Sequence, residues 1–212
     1  HNLVTTQIEP HDWIAETCHA LIRVNNIVND LNNDMWMYIA NDIFILKTIK
    51  DEVGSSTMPH KVNPIDFENS EGNIGLANSM LNFFAEKLPI SRLQRDLSDS
   101  TTLRNIGVAF GYSVISYKST LKGLQKITPN KNKINEELDN NWIVLSEAVQ
   151  TIMRLENIEN AYEKLKDLTR GKNLNKEQYL EFVENLDVTQ KNKDYLKSLN
   201  PRNYIGVAPK LK

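Results

Sequence analysis

Two short stretches carry residues whose types and spacing could do chemistry. The first is "GSSTMPHKVNP", Gly54 to Pro64. Gly54 and Pro59 are poor helix residues, so this is a loop. A plain helix connection needs only a few residues and no particular chemistry. This one holds two adjacent hydroxyls, a cation and an amide. A free serine hydroxyl is far too weak an acid to act as base or nucleophile at pH 7. Ser55 or Ser56 could do so only if its alkoxide were stabilised. Successive backbone N–H groups in a Gly-led loop, with Lys61 nearby, could supply that stabilisation. The same N–H groups, with Lys61 and Asn63, could instead clamp a carboxylate. The plain alternative is a Ser-rich connection that ends in a capping Asn, and composition alone favours it.

The second stretch is "RDLSDSTTLR", Arg95 to Arg104. Arg95 sits just before an expected helix start. Ser100 falls in the first turn, and Arg104 lies one turn later on the same face. A helix N-terminus flanked by two guanidinium groups and a hydroxyl suits a phosphate. Asp96 and Asp99 argue the other way, because they could neutralise the arginines and leave a solvated, salt-bridged helix start.

The elements that must position these residues read as helices. After Pro10 there is no Pro or Gly until Gly54, and Ile14, Cys18, Leu21, Val24, Val28, Leu31, Met35, Ile39, Ile43 and Leu46 recur every three or four residues. That is helical period. It predicts either one helix of ~40 residues, ~60 Å long at 1.5 Å per residue, or two helices broken near Asn32-Asn33. Such lengths suit an elongated bundle. A second helix is expected from Pro64 to about Lys87, with Asp66 and Glu68 favoured by the positive end of its dipole. A third is expected from Asp96–Ser98 to about Ile127. Gly107 and Gly111 inside it could admit a close helix neighbour. Beyond Pro129 the expected helices are shorter: Lys133 to Leu155, Asn157 to Leu168 and Lys176 to Leu186. The reading is therefore all-α, with residues 1–125 forming part of a long-helix bundle that carries the loop. Residues 126–212 form a small helical C-terminal domain.

The 212 residues allow a sizeable core, and 25 basic against 27 acidic residues leave a net charge of -2. That near-balance does not mark a nucleic-acid binder, so any anion site must be local. Cys18 is the only cysteine, which rules out an internal disulfide and fits a reducing compartment. Neither a signal-peptide pattern nor a membrane-spanning run is present, and the expectation is a cytoplasmic protein. His11, His19 and His60 have no metal-ligand spacing with one another or with Cys18. Surface or core roles are expected for His11 and His19. The opening at His1-Asn2, without Met, reads as the middle of a longer polypeptide.

The eleven residues from Gly54 to Pro64 resemble the most recognisable segment of the fumarase/aspartase superfamily. These are homotetrameric lyases that release fumarate by β-elimination and place a G-S-S-x-M-P-x-K-x-N-P loop over the active site. His60, at the variable position before the lysine, is similar to the branch that splits adenylosuccinate. Fumarases tend to have Gly there and argininosuccinate lyases Gln. "TTQIEPHD", "DFENSEGN", "RLQRDLSDSTTLRN" and "YEKLKDLTRGK" resemble bacterial members of the same branch. The likeness runs from Thr5 to Gly206, but covers only the C-terminal part of the family's polypeptide.

The resemblance implies a fumarase/aspartase-like bundle and cleavage of adenylosuccinate to AMP and fumarate. It also implies cleavage of succinyl-aminoimidazole-carboxamide ribotide (SAICAR) to AICAR and fumarate. No cofactor or metal is called for. The catalytic residues it implies are Ser55 as base, with Ser56 as the alternative, Lys61, and Glu68, which would orient the general-acid histidine. Gln7, Thr57, Met58, Asn63, Arg95, Ser100 and Arg104 would contact substrate, the last three at its phosphate. The acid histidine would lie in an N-terminal segment outside this sequence, and the site would be shared among the subunits of a homotetramer. The alternatives are a non-catalytic relative of the superfamily, like those recruited as lens proteins, or another fumarate-releasing lyase. An intact serine loop and a phosphate cradle disfavour the first. The cradle and His60 disfavour the second.

Overall fold

The long apolar periodicity after Pro10 becomes one helix, α1, Asp12–Ala40. The computed structural model describes residues 3–47, 63–160, 165–166 and 174–211. At 29 residues, α1 is about 43 Å long. No break occurs at Asn32-Asn33. The helix ends instead at Asp42, which adopts the left-handed conformation (φ 59°). The Asp42 N–H reaches the Ile39 carbonyl at 3.1 Å, and the Ile43 N–H reaches Tyr38 at 2.9 Å. This is a Schellman stop, at one of the few non-glycine types that tolerates it. The expected continuation through Ile43 and Leu46 is therefore corrected: strand β1, Phe44–Leu46, takes its place.

Helix α2 spans Ile65–Lys87. The third expected helix is divided in two, α3, Ser98–Leu103, and α4, Ile106–Lys126. The interruption is local chemistry. The Asn105 side chain donates to the Thr101 carbonyl at 3.1 Å and its N–H to Thr102 at 3.0 Å, which competes with the helical ladder. Strand β2, Ile127–Pro129, follows α4 and pairs antiparallel with β1, Phe44 opposite Pro129 and Leu46 opposite Ile127. This small ladder was not expected from the sequence.

The chain divides into two compact units, His1–Asn130 and Lys131–Lys212. In the first, α2 lies between α1 and α4, antiparallel to α1 as the pairs Asn25–Asn78 and Asn32–Ser70 require, and antiparallel to α4 as Asp66–Lys126 and Ser70–Thr120 require. One end has an apolar cluster of Ile14, Cys18, Leu81, Phe84, Ala85, Leu88 and Ala109. Burial pushes the Cys18 thiol pKa up. Further along, the buried contacts turn polar. The Asn32 Nδ2 donates to Ser70 Oγ at 2.9 Å, Thr120 donates to Asn32 Oδ1 at 2.8 Å, and the two hydroxyls meet at 2.8 Å. Asn25, seven residues earlier on α1, donates to Asn78 at 2.8 Å and to Ser113 at 3.1 Å and accepts from the Tyr117 hydroxyl. Among the described residues, Gly107 and Gly111 have no neighbour close enough to meet a side chain. The close approach is at Gly123, where an added Cβ would lie 2.8 Å from the Phe67 ring.

In the second unit the expected Lys133–Leu155 helix is broken at Asn140-Asn141 into α5, Lys131–Asp139, and α6, Ser146–Leu155, with a 3-10 turn at Trp142–Leu145. Helices α7, Lys176–Glu184, and α8, Gln190–Ser198, complete the unit among the described residues. Asn175 and Gln178 form a capping box at the α7 start. Leu145, Val149, Met153, Tyr179, Val183 and Leu196 are its most buried residues. The helix expected from Asn157 to Leu168 is corrected at its start: residues 157–160 are non-helical, with Asn157 (φ 55°) and Asn160 (φ 57°) left-handed, residues 165–166 are helical, and the other six lie outside the described residues. Among those residues, no helix is long and apolar enough to cross a membrane.

Candidate functional site

Ser55, Ser56, Thr57, Met58 and Lys61 lie outside the described residues, as does His60. The structure does place the chain on either side of them. Asn63 is half-buried just ahead of α2. Glu68, on the first turn of α2, is exposed and accepts a hydrogen bond at 3.0 Å from the Trp36 indole on α1. That bond fixes a carboxylate on the surface side of the α1–α2 seam.

Asp66 behaves differently from the helix-dipole carboxylate read from the sequence. It is buried. It pairs with Lys126, and Lys122 lies 3.2 Å away. Its carbonyl accepts from Ser119 Oγ at 2.7 Å. Asn69 also donates to Ser119, at 3.0 Å. No local pattern could have revealed this cluster, because its members are 50 to 60 residues apart.

The second stretch is built from a sharp bend and a short helix. Arg92–Gln94 form a 3-10 turn in which Leu93 (φ 48°) and Gln94 (φ 74°) are left-handed. Arg95 then resumes extended backbone (φ -164°, ψ 131°) and is exposed. Ser100 lies in the first turn of α3, and the Arg104 Nη2 donates to Ser100 Oγ at 3.4 Å. Because α3 has only six residues, its dipole adds little. The positive charge of this stretch rests on the guanidinium groups.

The two carboxylates expected to compete for those arginines are engaged elsewhere. Asp96 accepts from the Ser98 hydroxyl, from the Ser98 N–H at 2.9 Å, and from the Arg92 N–H at 3.1 Å and Nε at 3.3 Å. These bonds, the Ser98 hydroxyl first, hold its pKa far below the usual carboxylate range. Asp99 faces His11 Nε2 at 3.5 Å. Among the described residues neither Arg95 nor Arg104 has a carboxylate partner.

His11 thus has a role the sequence did not disclose. Its Nδ1 pairs with Glu9 and its Nε2 faces Asp99, so it ties the segment before α1 to α3. Burial would raise the Glu9 pKa. The hydrogen bonds from the His11 backbone, the His11 ring and the Trp13 indole outweigh it and leave the pKa lowered. Glu9, His11, Gln94, Asp96 and Asp99 line a cleft of about 190 Å³ together with Leu88 and Ser91. Gln7 lies exposed two residues before Glu9. The structure therefore brings the Gln7 segment to the Arg95–Arg104 segment through His11 and Asp99.

The adenylosuccinate lyase C-terminal family model matches residues 91–205, and a lyase family model matches residues 2–77. The chain is 56% identical over 210 residues to adenylosuccinate lyase of Buchnera aphidicola subsp. Schizaphis graminum, covering 99% of this chain and 46% of that protein. It is 56% identical over 207 residues to that of Escherichia coli K12, covering 98% and 45% respectively. It is 55% identical over 210 residues to that of Haemophilus influenzae, covering 99% and 46%. The chain spans slightly less than half the length of these relatives.

Proposed function

We infer the function from one premise: the chain belongs to the adenylosuccinate lyase family. On that premise it is part of a cytoplasmic enzyme of purine and AMP biosynthesis. The enzyme splits adenylosuccinate to AMP and fumarate, and SAICAR to AICAR and fumarate. The observation that carries the reading is the Arg104–Ser100 contact on α3, with Arg95 just ahead of that helix: the neighbouring carboxylates are bound to Arg92, Ser98 and His11 and so leave both guanidinium groups available for a substrate phosphate.

The hard step is removal of a proton from the carbon beside a carboxylate. The dianionic aci-carboxylate that forms must be stabilised more strongly than the substrate. Lys61, Asn63 and backbone N–H groups near them meet that demand. Ser55 takes the proton, with Ser56 as the alternative. Thr57, Met58 and Gln7 contact the substrate. The C–N bond then breaks, its electron pair goes to the departing nitrogen, and a histidine protonates that nitrogen. We place that histidine in the part of the relatives' length that this chain does not span. Glu68, held by Trp36, orients it.

The active molecule is a homotetramer with shared sites. Val24, Ile27, Leu76, Phe83, Val114 and Leu121 expose apolar surface on α1, α2 and α4, more than suits helices meant to face water. The test is to assay this chain with and without the preceding portion of its polypeptide, on adenylosuccinate, argininosuccinate and fumarate. Fumarate release from adenylosuccinate is expected only with that portion present, because loss of a general acid costs ~100- to 10,000-fold. Full turnover by the lone chain would reassign the acid to this sequence, with His60 the first candidate. Preference for argininosuccinate would overturn the substrate assignment.

A further inference from the structure

A buried ammonium group is unusual, because taking the charge out of water is costly unless it is paired and hydrogen-bonded. Lys126, the last residue of α4, has a side chain only 6% exposed. Its Nζ meets the Asp66 carboxylate on the first turn of α2. Its carbonyl accepts the Lys47 N–H at 2.8 Å, one step beyond the β1–β2 ladder. One residue therefore holds the chain at position 47 by backbone and at position 66 by side chain. Those two positions flank the segment that contains Ser55, Ser56 and Lys61.

The surrounding contacts reinforce this double attachment. Ser119 Oγ donates to the Asp66 carbonyl at 2.7 Å, and Lys122 lies 3.2 Å from the other carboxylate oxygen. Phe67 packs against Gly123 so closely that any side chain there would collide with the ring. The last two turns of α4 and the first turn of α2 thus form one locked corner. The β ladder fixes the incoming strand to the same corner. An apolar pair could fill this space, so packing alone does not require an ion pair.

We propose that Lys126 is a positioning residue for the elimination. Through Asp66 and Lys47 it fixes both ends of the serine-bearing segment in one place. The proposal rests on the lyase reading above. A catalytic base misplaced by about 1 Å can lose about 100-fold in rate, so the effect belongs in kcat. AMP affinity belongs to Arg95 and Arg104, which do not touch the corner.

The test uses the full-length enzyme with Lys126→Met, Lys126→Arg and the paired Asp66→Asn/Lys126→Met. Each is measured for kcat, KM, AMP affinity and Tm. Lys126→Met is expected to lower kcat about 10- to 100-fold, with AMP affinity within about twofold. Lys126→Arg keeps the charge and should recover most of kcat. The paired variant removes the Asp66 charge, which Lys126→Met leaves, among the described residues, with only the more exposed Lys122 beside it, so its Tm should return toward that of the parent while kcat stays low. Recovery of both Tm and kcat in the paired variant would show that the ion pair is structural only, and would overturn the proposal. So would parental kcat in Lys126→Met. If the parent enzyme itself does not release fumarate from adenylosuccinate, the lyase reading falls, and the positioning role falls with it.

Discussion

The two units of this chain bury different chemistry. In residues 131–212 the centre is aliphatic and aromatic: Leu145, Val149, Met153, Val183 and Leu196 pack around Tyr179, whose hydroxyl donates to the Leu196 carbonyl at 2.8 Å. In residues 3–130 much of the contact between α1, α2 and α4 is polar. Asn25, Asn32, Ser70, Ser113 and Thr120 are all buried, while Val24, Ile27, Phe83 and Leu121 are exposed. An apolar core drives collapse but tolerates repacking. A closed hydrogen-bond network adds less driving force but penalises a slip, because each displaced partner becomes a buried unsatisfied group. Asn25 and Asn32 are seven residues apart on α1, and so are their partners Ser113 and Thr120 on α4. A shift of one turn breaks both sets at once. The contrast teaches that the first unit is built for register, which is what the catalytic role proposed for it above would require. The second is built for self-sufficient stability.

The largest expected effect tests whether chemistry belongs to the first unit alone. Ser55→Ala in the full-length enzyme should lower kcat by roughly 1,000-fold while substrate binding persists, as measured by single-turnover fumarate release and by AMP titration. If Ser56→Ala shows that loss and Ser55→Ala does not, the base is one residue on. No substitution in the core of the second unit should approach this effect on kcat.

Stability should show the reverse ranking. Leu196→Ala is expected to cost about 2–5 kcal/mol, read as early melting of the second unit by hydrogen exchange. Asn32→Ala should cost about 1–3 kcal/mol, because Ser70 and Thr120 can still pair with each other at 2.8 Å. A larger cost for Asn32→Ala than for Leu196→Ala would erase the distinction drawn above.

Arg95→Lys and Arg104→Lys come next. A lysine cannot reproduce bidentate phosphate contacts, so AMP affinity should weaken about 10-fold in each by calorimetry, with Tm unchanged. Unchanged affinity in both would remove the cradle.

The smallest effect is at high pH. Desolvation, with the charge of Tyr195 as a lesser cause, raises the Tyr179 pKa well above its ordinary value of 10.0. The folded state then binds the phenolic proton more tightly than the unfolded state. Its contribution is complete below pH 10 and lost as pH rises from there toward the folded pKa. The Tm of the second unit should fall above about pH 10. Tyr179→Phe should flatten that fall, at a cost near 1 kcal/mol at neutral pH for the lost hydrogen bond.

Helix identity was legible from spacing, because a 3.6-residue period survives any detail of packing. Helix boundaries were not. Asp42 stops α1 by adopting a left-handed conformation, and Asn105 interrupts the run from Ser98 by capturing a carbonyl. Both depend on local competition for hydrogen bonds that apolar periodicity does not report. Asparagine is a poor helix residue, yet Asn32 lies inside α1. Its burial against Ser70 and Thr120 overrides that preference.

By itself, the sequence determined the helical period, the residue types that Gly54 to Pro64 bring together and the one-turn relation of Ser100 to Arg104, because each is a matter of neighbours along the chain. Only the tertiary structure decided which charges meet. Asp99 lies one residue from Ser100 and five from Arg104, yet its imidazole partner, His11, is 88 residues away. Asp66 opens α2 with Glu68, yet pairs with Lys126 from the far end of α4. Coulomb attraction and desolvation act through space. A carboxylate's partner is therefore set by how the helices pack, and sequence spacing is silent about it.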